Sequence, residues 1–162
     1  MNGWLLVDKP SGISSHDVVQ RARGIIPGCR IGHTGTLDPL ATGLLVLGIG
    51  NTTRLSEYLI SQSKQYTAVV RLGATTTTFD AEGDIMSEKD VRIGAAAIES
   101  ILPNFIGCIE QVPPIYSAIK IGGERAYKLA RSGKTVKMSP RSVRIDKLAI
   151  VDYCSPDITL EI

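Results

Sequence analysis

Residues 32–50 read GHTGTLDPLATGLLVLGIG. The two halves differ in character. LLVLGIG (44–50) is an almost unbroken apolar run bounded by turn residues, which is how a buried strand reads. GHTGTLDPLATG (32–43) puts three glycines, three threonines, one histidine, one aspartate and one proline into twelve residues. A polar loop therefore feeds directly into a core strand, and it is either a turn or a site held open for chemistry. Pro39 pushes Asp38 toward extended backbone, and glycines at 32, 35 and 43 let backbone or ligand approach closely. An ordinary aspartate has a pKa near ~4 and is ionised at neutral pH. A fixed carboxylate suits nucleophilic or electrostatic work; it equally suits an aspartate capping its own turn.

Outward from this stretch the elements alternate irregularly. GWLLV (3–7) reads as a strand ending at the turn cluster DKPSG. Ser14 or Ser15 caps a helix over roughly 16–24, and Ser14 with Asp17 fits a capping box. Val18, Val19, Ala22 and Ile25 line one face of it, and Pro27-Gly28 ends it. NTTR (51–54) gives a turn, LSEYL (55–59) a short helix, and YTAVVRLG (66–73) a strand rich in β-branched residues. ATTTTFDAEGD (74–84) reads as a loop. IGAAAIESIL (93–102) is helical by propensity and stops at Pro103. FIGCIEQVPPIYSAIK (105–120) reads as two strands broken by Pro113-Pro114. GERAYKLARSG (123–133) reads as a helix ended by Gly133. VRIDKLAIVDY (143–153) and DITLEI (157–162) read as two strands around a Ser-Pro turn. No regular βαβ beat, repeat or linker appears. The expectation is one α+β domain over 1–162 with a mostly antiparallel sheet. Because DITLEI reads as the interior of a strand, the domain is expected to be incomplete at its C-terminus.

Composition narrows the class. The chain has 162 residues, 43% hydrophobic and 21% charged, as in ordinary globular proteins. No run approaches the ~20 apolar residues of a membrane span, and the N-terminus lacks the basic lead of a signal peptide. Cys29, Cys108 and Cys154 are odd in number and lack a CxxC pair, so they read as small buried hydrophobes in a reducing cytoplasm. Net charge is +2, but residues 111–147 hold nine basic and two acidic groups. Such an excess is either a phosphate-binding surface or a solvated Lys-rich face. Tyr116 and Tyr127 lie within it, and bases stack on such aromatics.

Several chemistries are excluded. TGT followed by Leu resembles a phosphoaspartate loop, but Gly32 stands where the nucleophilic aspartate belongs. No GK[ST] follows, as a P-loop requires. No second carboxylate sits at an evident partner position for glycosidase work, and His16 and His33 form no metal pattern. His33 alone reads as a structural hydrogen-bonding residue, and Tyr66 alone as a strand-edge aromatic.

Taken together, LLVDKPSGISSHDVV (5–19), GHTGTLDPLATG (32–43), KQY with RLG (64–73), DAEG (80–83), FIGCIEQVPPIYSAIK and GERAYKLAR resemble the TruB family of pseudouridine synthases, in that order along the chain. The resemblance implies the pseudouridine synthase fold, a mixed and mostly antiparallel sheet flanked by helices. It implies conversion of the T-loop uridine of tRNA to pseudouridine, without metal or cofactor, by a cytoplasmic enzyme expected to be a monomer. Asp38 then matches the catalytic aspartate and Tyr66 the active-site tyrosine that packs on the target base. His33 matches the histidine that holds the T-loop flipped out, and Lys9 with Pro10 a turn supporting the catalytic loop. Residues expected to meet the T-arm stem–loop are Lys9, His33, Thr34, Gly35 and Lys64, with Lys120, Arg125, Lys128, Arg131 and Arg141 from the basic segment. Thr77 departs from the acidic residue the family commonly carries. The family's later CSxGTYxR motif, whose arginine pairs the aspartate, and its PUA domain are absent from these residues, so this chain alone is expected to be inactive or nearly so. A dyskerin-type guided enzyme and a non-catalytic RNA-binding protein or tRNA chaperone are the alternatives; Leu40-Ala41-Thr42 after LDP favours the stand-alone type.

Overall fold

The apolar run 44–50 forms the central strand of a small sheet. In the computed structural model, which describes residues 1–114, 120–121, 124–125 and 138–162, the chain divides into two units, Met1–Lys64 and Gln65–Ile162. The first unit contains strand β1 (Gly3–Lys9), helix α1 (Ser15–Ile25), strand β2 (Ile31–His33) and strand β3 (Gly43–Ile49). The strands pair antiparallel in the order β1-β3-β2. Alternation along β3 sends Leu45, Leu47 and Ile49 to one face, where they form a core with Ile31 and with Val18, Val19 and Ala22 of α1. Burying each of the larger side chains contributes roughly 1.5–3 kcal/mol. The register also settles where the polar loop must start and stop, since His33 faces Leu47 and Lys9 faces Gly43.

Helix α1 begins as its sequence predicts. The Ser14 side chain accepts from the Asp17 amide at 3.2 Å, and the Asp17 carboxylate accepts from the Ser14 amide at 2.8 Å. The Ser14 hydroxyl, which donates to the Asp17 carboxylate at 2.6 Å, and then the Ser14 amide hold that carboxyl below its ordinary range. Ile25, expected on the core face, is instead 81% exposed. It is the last helical residue, and Ile26 turns back onto the core in its place. A 3-10 turn at Gly50–Leu55 and helix α2 (Ser56–Ile60) complete the unit.

The second unit contains β4 (Thr67–Arg71), β5 (Ala74–Thr76), β6 (Ile85–Glu88), α3 (Ala95–Glu99), β7 (Gly107–Gln111), β8 (Lys120–Ile121), β9 (Glu124–Arg125), β10 (Arg141–Ile145), β11 (Ala149–Cys154) and β12 (Asp157–Glu161). All described pairings are antiparallel: a three-stranded sheet β11-β12-β4 and the ribbons β5-β6, β7-β10 and β8-β9. Four sequence expectations change here. The start of ATTTTFDAEGD is strand β5, because β6 supplies its ladder, so the loop proper is 77–84. The helix over 93–102 shortens to α3, and Pro103 sits in a 3-10 turn at Leu102–Phe105. VRIDKLAIVDY is two strands, split at Asp146–Leu148. Glu124 and Arg125 pair in β9 rather than opening a helix; the rest of that segment, 126–137, lies outside the described residues. The cysteines also differ from expectation: Cys29 is half-buried, and Cys108 and Cys154 are exposed free thiols.

Strand β12 carries two surface ion pairs. Asp157 accepts from Arg71 of β4 at 2.8 and 3.0 Å, and Glu161 accepts from Lys147 at 2.7 Å. Arg71 beside Asp157, and Lys147 beside Glu161, hold both carboxyls below their ordinary range. A carboxylate with a lowered folded pKa adds stability above its unfolded pKa and loses it as pH falls through the folded value. The thermal unfolding temperature should therefore drop as pH is lowered below about 4, the ordinary carboxylate range. Arg71 is 65% exposed, so salt should blunt the effect. An Arg71→Gln, Lys147→Gln double variant should show a flatter acid limb; an unchanged limb refutes the assignment.

Candidate functional site

The loop between β2 and β3, residues 34–42, is fastened almost entirely from outside itself. Thr34 is buried, and its amide and hydroxyl both donate to the Val46 carbonyl, at 3.0 and 3.3 Å. Ser15, at the first position of α1, donates to the Leu37 carbonyl at 3.1 Å and accepts from the Leu37 amide at 2.9 Å. The Lys9 ammonium donates to the carbonyls of Pro10 (3.0 Å), Ile13 (2.8 Å) and Pro39 (3.1 Å). The Pro39 carbonyl also accepts from the Gly12 amide at 2.8 Å, and Leu40 accepts from the Ser11 hydroxyl at 3.1 Å. Gly12 has φ 86°, a conformation that favours glycine, so the KPSG turn can present its amide inward.

Asp38 sits between these clamps. Its backbone carbonyl accepts from the Ala41 amide at 3.0 Å, closing the turn. The turn expected at this residue is present but is made by the main chain; among the described residues no side-chain cap accompanies it, and the side chain is left exposed. Among the described residues no cation forms an ion pair with it. Backbone bonds at Leu37, Pro39 and Leu40 fix the main chain on both sides of Asp38 without using its carboxylate. Such pre-set placement is what an electrostatic or nucleophilic group needs.

The other expected residues differ in where they lie. Lys9 and Thr34 point inward. Lys9 is 0% exposed, and its three donors already meet three carbonyls, so it braces the loop instead of meeting a phosphate. His33 and Gly35 are half-buried beside the loop, and His33 Nδ1 is buried without a described partner. Tyr66, in the second unit, is 48% exposed; its amide and carbonyl exchange 2.9 Å bonds with Ile162 at the head of β4. Lys64 donates to the Leu59, Ile60 and Gln62 carbonyls at the end of α2, at 3.1, 3.4 and 2.6 Å. Arg141 is exposed and donates to Gln111. Lys120 and Arg125 are backbone register partners in β8 and β9, while Lys128, Arg131, Tyr116 and Tyr127 lie outside the described residues. Sequence reading missed Ser11 as a clamp and saw Ser15 only as an alternative cap; the signal was the serine-rich KPSGISS run. Among the described residues no three His, Cys, Asp or Glu side chains gather where they could hold a metal ion.

Residues 23–162 match the family described as TruB family pseudouridylate synthase (N terminal domain). The chain is 47% identical over 162 residues to tRNA pseudouridine synthase B of Pseudomonas aeruginosa (strain UCBPP-PA14) and to that of Burkholderia mallei (strain NCTC 10247). It is fully covered in both alignments but spans about half of each relative, 53% and 54%. Among solved structures, a chain of a Cbf5-Nop10-Gar1 complex superposes with a TM-score of 0.70 at 23% identity, over 98% of this chain and 38% of that one. A chain of an H/ACA RNP bound to a substrate RNA containing 2'-deoxyuridine superposes at 0.68 and 21% identity, over 98% and 36%. The fold is therefore that of the pseudouridine synthases. Within that class, the chain belongs to the TruB family.

Proposed function

We propose that the whole protein converts a uridine in the T-loop of tRNA to pseudouridine, with Asp38 as its essential carboxylate. The carrying observation is the loop 34–42: its backbone is fastened on both sides of Asp38 while the carboxylate stays exposed. The reaction breaks the C1′–N1 bond, turns the uracil and joins C5 to C1′, with no net oxidation or hydrolysis. The carboxylate can attack the base, attack the sugar or take the C2′ proton. Each route needs an ionised group fixed before the substrate arrives. The uridine must leave its stack, at a cost of a few kcal/mol. Tyr66 stacks on the uracil in this reading, and His33 helps hold the loop open. Cations of the 111–147 segment offset the cost through phosphate contacts, so binding weakens as salt rises. The 46–47% identity to proteins named tRNA pseudouridine synthase B supports this reading over a guided enzyme. We place the protein in the cytoplasm as a monomer.

The test is pseudouridine formation on a T-arm stem–loop. Full-length protein should convert the T-loop uridine and leave a stem–loop lacking it unmodified. The 162-residue chain, which spans about half the length of the relatives it matches, should convert it poorly. Full-length protein that binds the RNA yet makes no pseudouridine would leave a binding protein or chaperone in its place.

A further inference from the structure

The DAEG segment, 80–83, holds none of the expected site residues. In the structure Asp80 organises the turn that joins β5 to β6. Its carboxylate accepts from the Thr78 hydroxyl at 2.6 Å and the Glu82 amide at 3.0 Å, and its carbonyl accepts from the Thr76 hydroxyl at 2.8 Å. The Thr77 amide donates to the Asp84 carbonyl at 3.0 Å. Gly83 packs so tightly on Thr78 that a Cβ would stand 2.8 Å from its amide. This cross-tied turn holds Phe79 at φ 63°, the one described non-glycine residue with positive φ. It leaves Phe79 76% exposed.

Both features work against stability. A bulky side chain strains the left-handed region, and an aromatic in water forgoes its burial. Strain held in place by surrounding bonds marks sites where the strained group is used. We propose that Phe79 is a stacking platform for an unstacked nucleobase of the RNA substrate, an inference that rests on the proposed function above. Charge decides what the ring meets. Asp80, Glu82 and Asp84 rim the tip, and none of them welcomes a phosphate. Carboxylates do accept hydrogen bonds from base N–H groups. An aromatic beside them suits a base turned out of a loop, the element by which single-stranded RNA is read.

The test measures T-arm stem–loop binding by full-length Phe79→Ala, Phe79→Gly, Phe79→Leu and Phe79→Trp variants at low and high salt. Loss of one stacked base is worth ~1–3 kcal/mol, so Ala, Gly and Leu should bind about 5- to 150-fold more weakly. Trp should bind like the parent. The salt slope should stay unchanged, because no phosphate contact is lost. Gly relieves the positive φ, so its thermal stability should equal or exceed the parent's, which separates the loss from misfolding. Parent-like binding by Ala and Gly overturns the proposal and leaves the ring free for a protein partner. Parent-like binding by Leu overturns stacking. If full-length protein makes no pseudouridine but Phe79→Ala still loses binding, the catalytic reading falls and the platform stands; the converse result reverses that.

Discussion

Asp38→Asn in the full-length protein is expected to lower pseudouridine formation by at least about 10²-fold, and up to about 10⁴-fold, while T-arm affinity stays within about threefold. The lower figures follow from loss of a proton-transferring or nucleophilic group. Asparagine keeps the size and polarity of the side chain but can neither attack nor take a proton, so all three routes open to the carboxylate fail together. Affinity is spared for a structural reason. The loop is held through backbone atoms of Leu37, Pro39 and Leu40 and through the Asp38 carbonyl, and the carboxylate is in none of those bonds. A single-turnover assay with saturating enzyme separates the two effects. An Asn variant that retains a tenth of the parent's rate would remove Asp38 from the chemistry.

That separation was only half legible in the sequence. Asp-Pro and the flanking glycines announce a turn, and LLVLGIG announces the strand after it, because both signals are local. The capping box of α1 was legible for the same reason, with Ser14 and Asp17 three residues apart. The clamps were not. Lys9 and Pro39 are 30 residues apart, and Ser15 and Leu37 are 22 apart, so nothing in either segment alone points to the other. Propensity failed where tertiary pairing overrode it: β5 emerges from a run of threonines because β6 supplies its ladder. Exposure was the least legible quantity. Lysine is read as a surface residue, yet Lys9 is buried; cysteine is read as a core residue, yet Cys108 and Cys154 are exposed. The resemblance to a family named Asp38 and Tyr66, but the bonds that fasten the loop on both sides of Asp38 were visible only in the structure.

Lys9→Met is the second large effect. It should destabilise the 162-residue chain by about 2–4 kcal/mol, the cost of stranding buried hydrogen-bonding groups. A chain of this size then melts roughly 5–15 °C lower. Methionine matches the length and flexibility of the lysine stem, so packing changes little and the loss falls on the carbonyls. Ile13 and Pro10 lose the ammonium outright, whereas Pro39 keeps the Gly12 amide. Pro39 adjoins Asp38, so the damage should reach the carboxylate's position as well. Hydrogen exchange at the Leu37 and Ala41 amides should quicken relative to amides of α1, whose cap is untouched. In the full-length protein the catalytic rate should fall more than T-arm affinity does, because a loosened loop misplaces Asp38 without removing phosphate contacts. If the ammonium instead met RNA, the variant would melt like the parent and lose affinity with a shallower salt slope. That pair of results would return Lys9 from the loop's foundation to its surface.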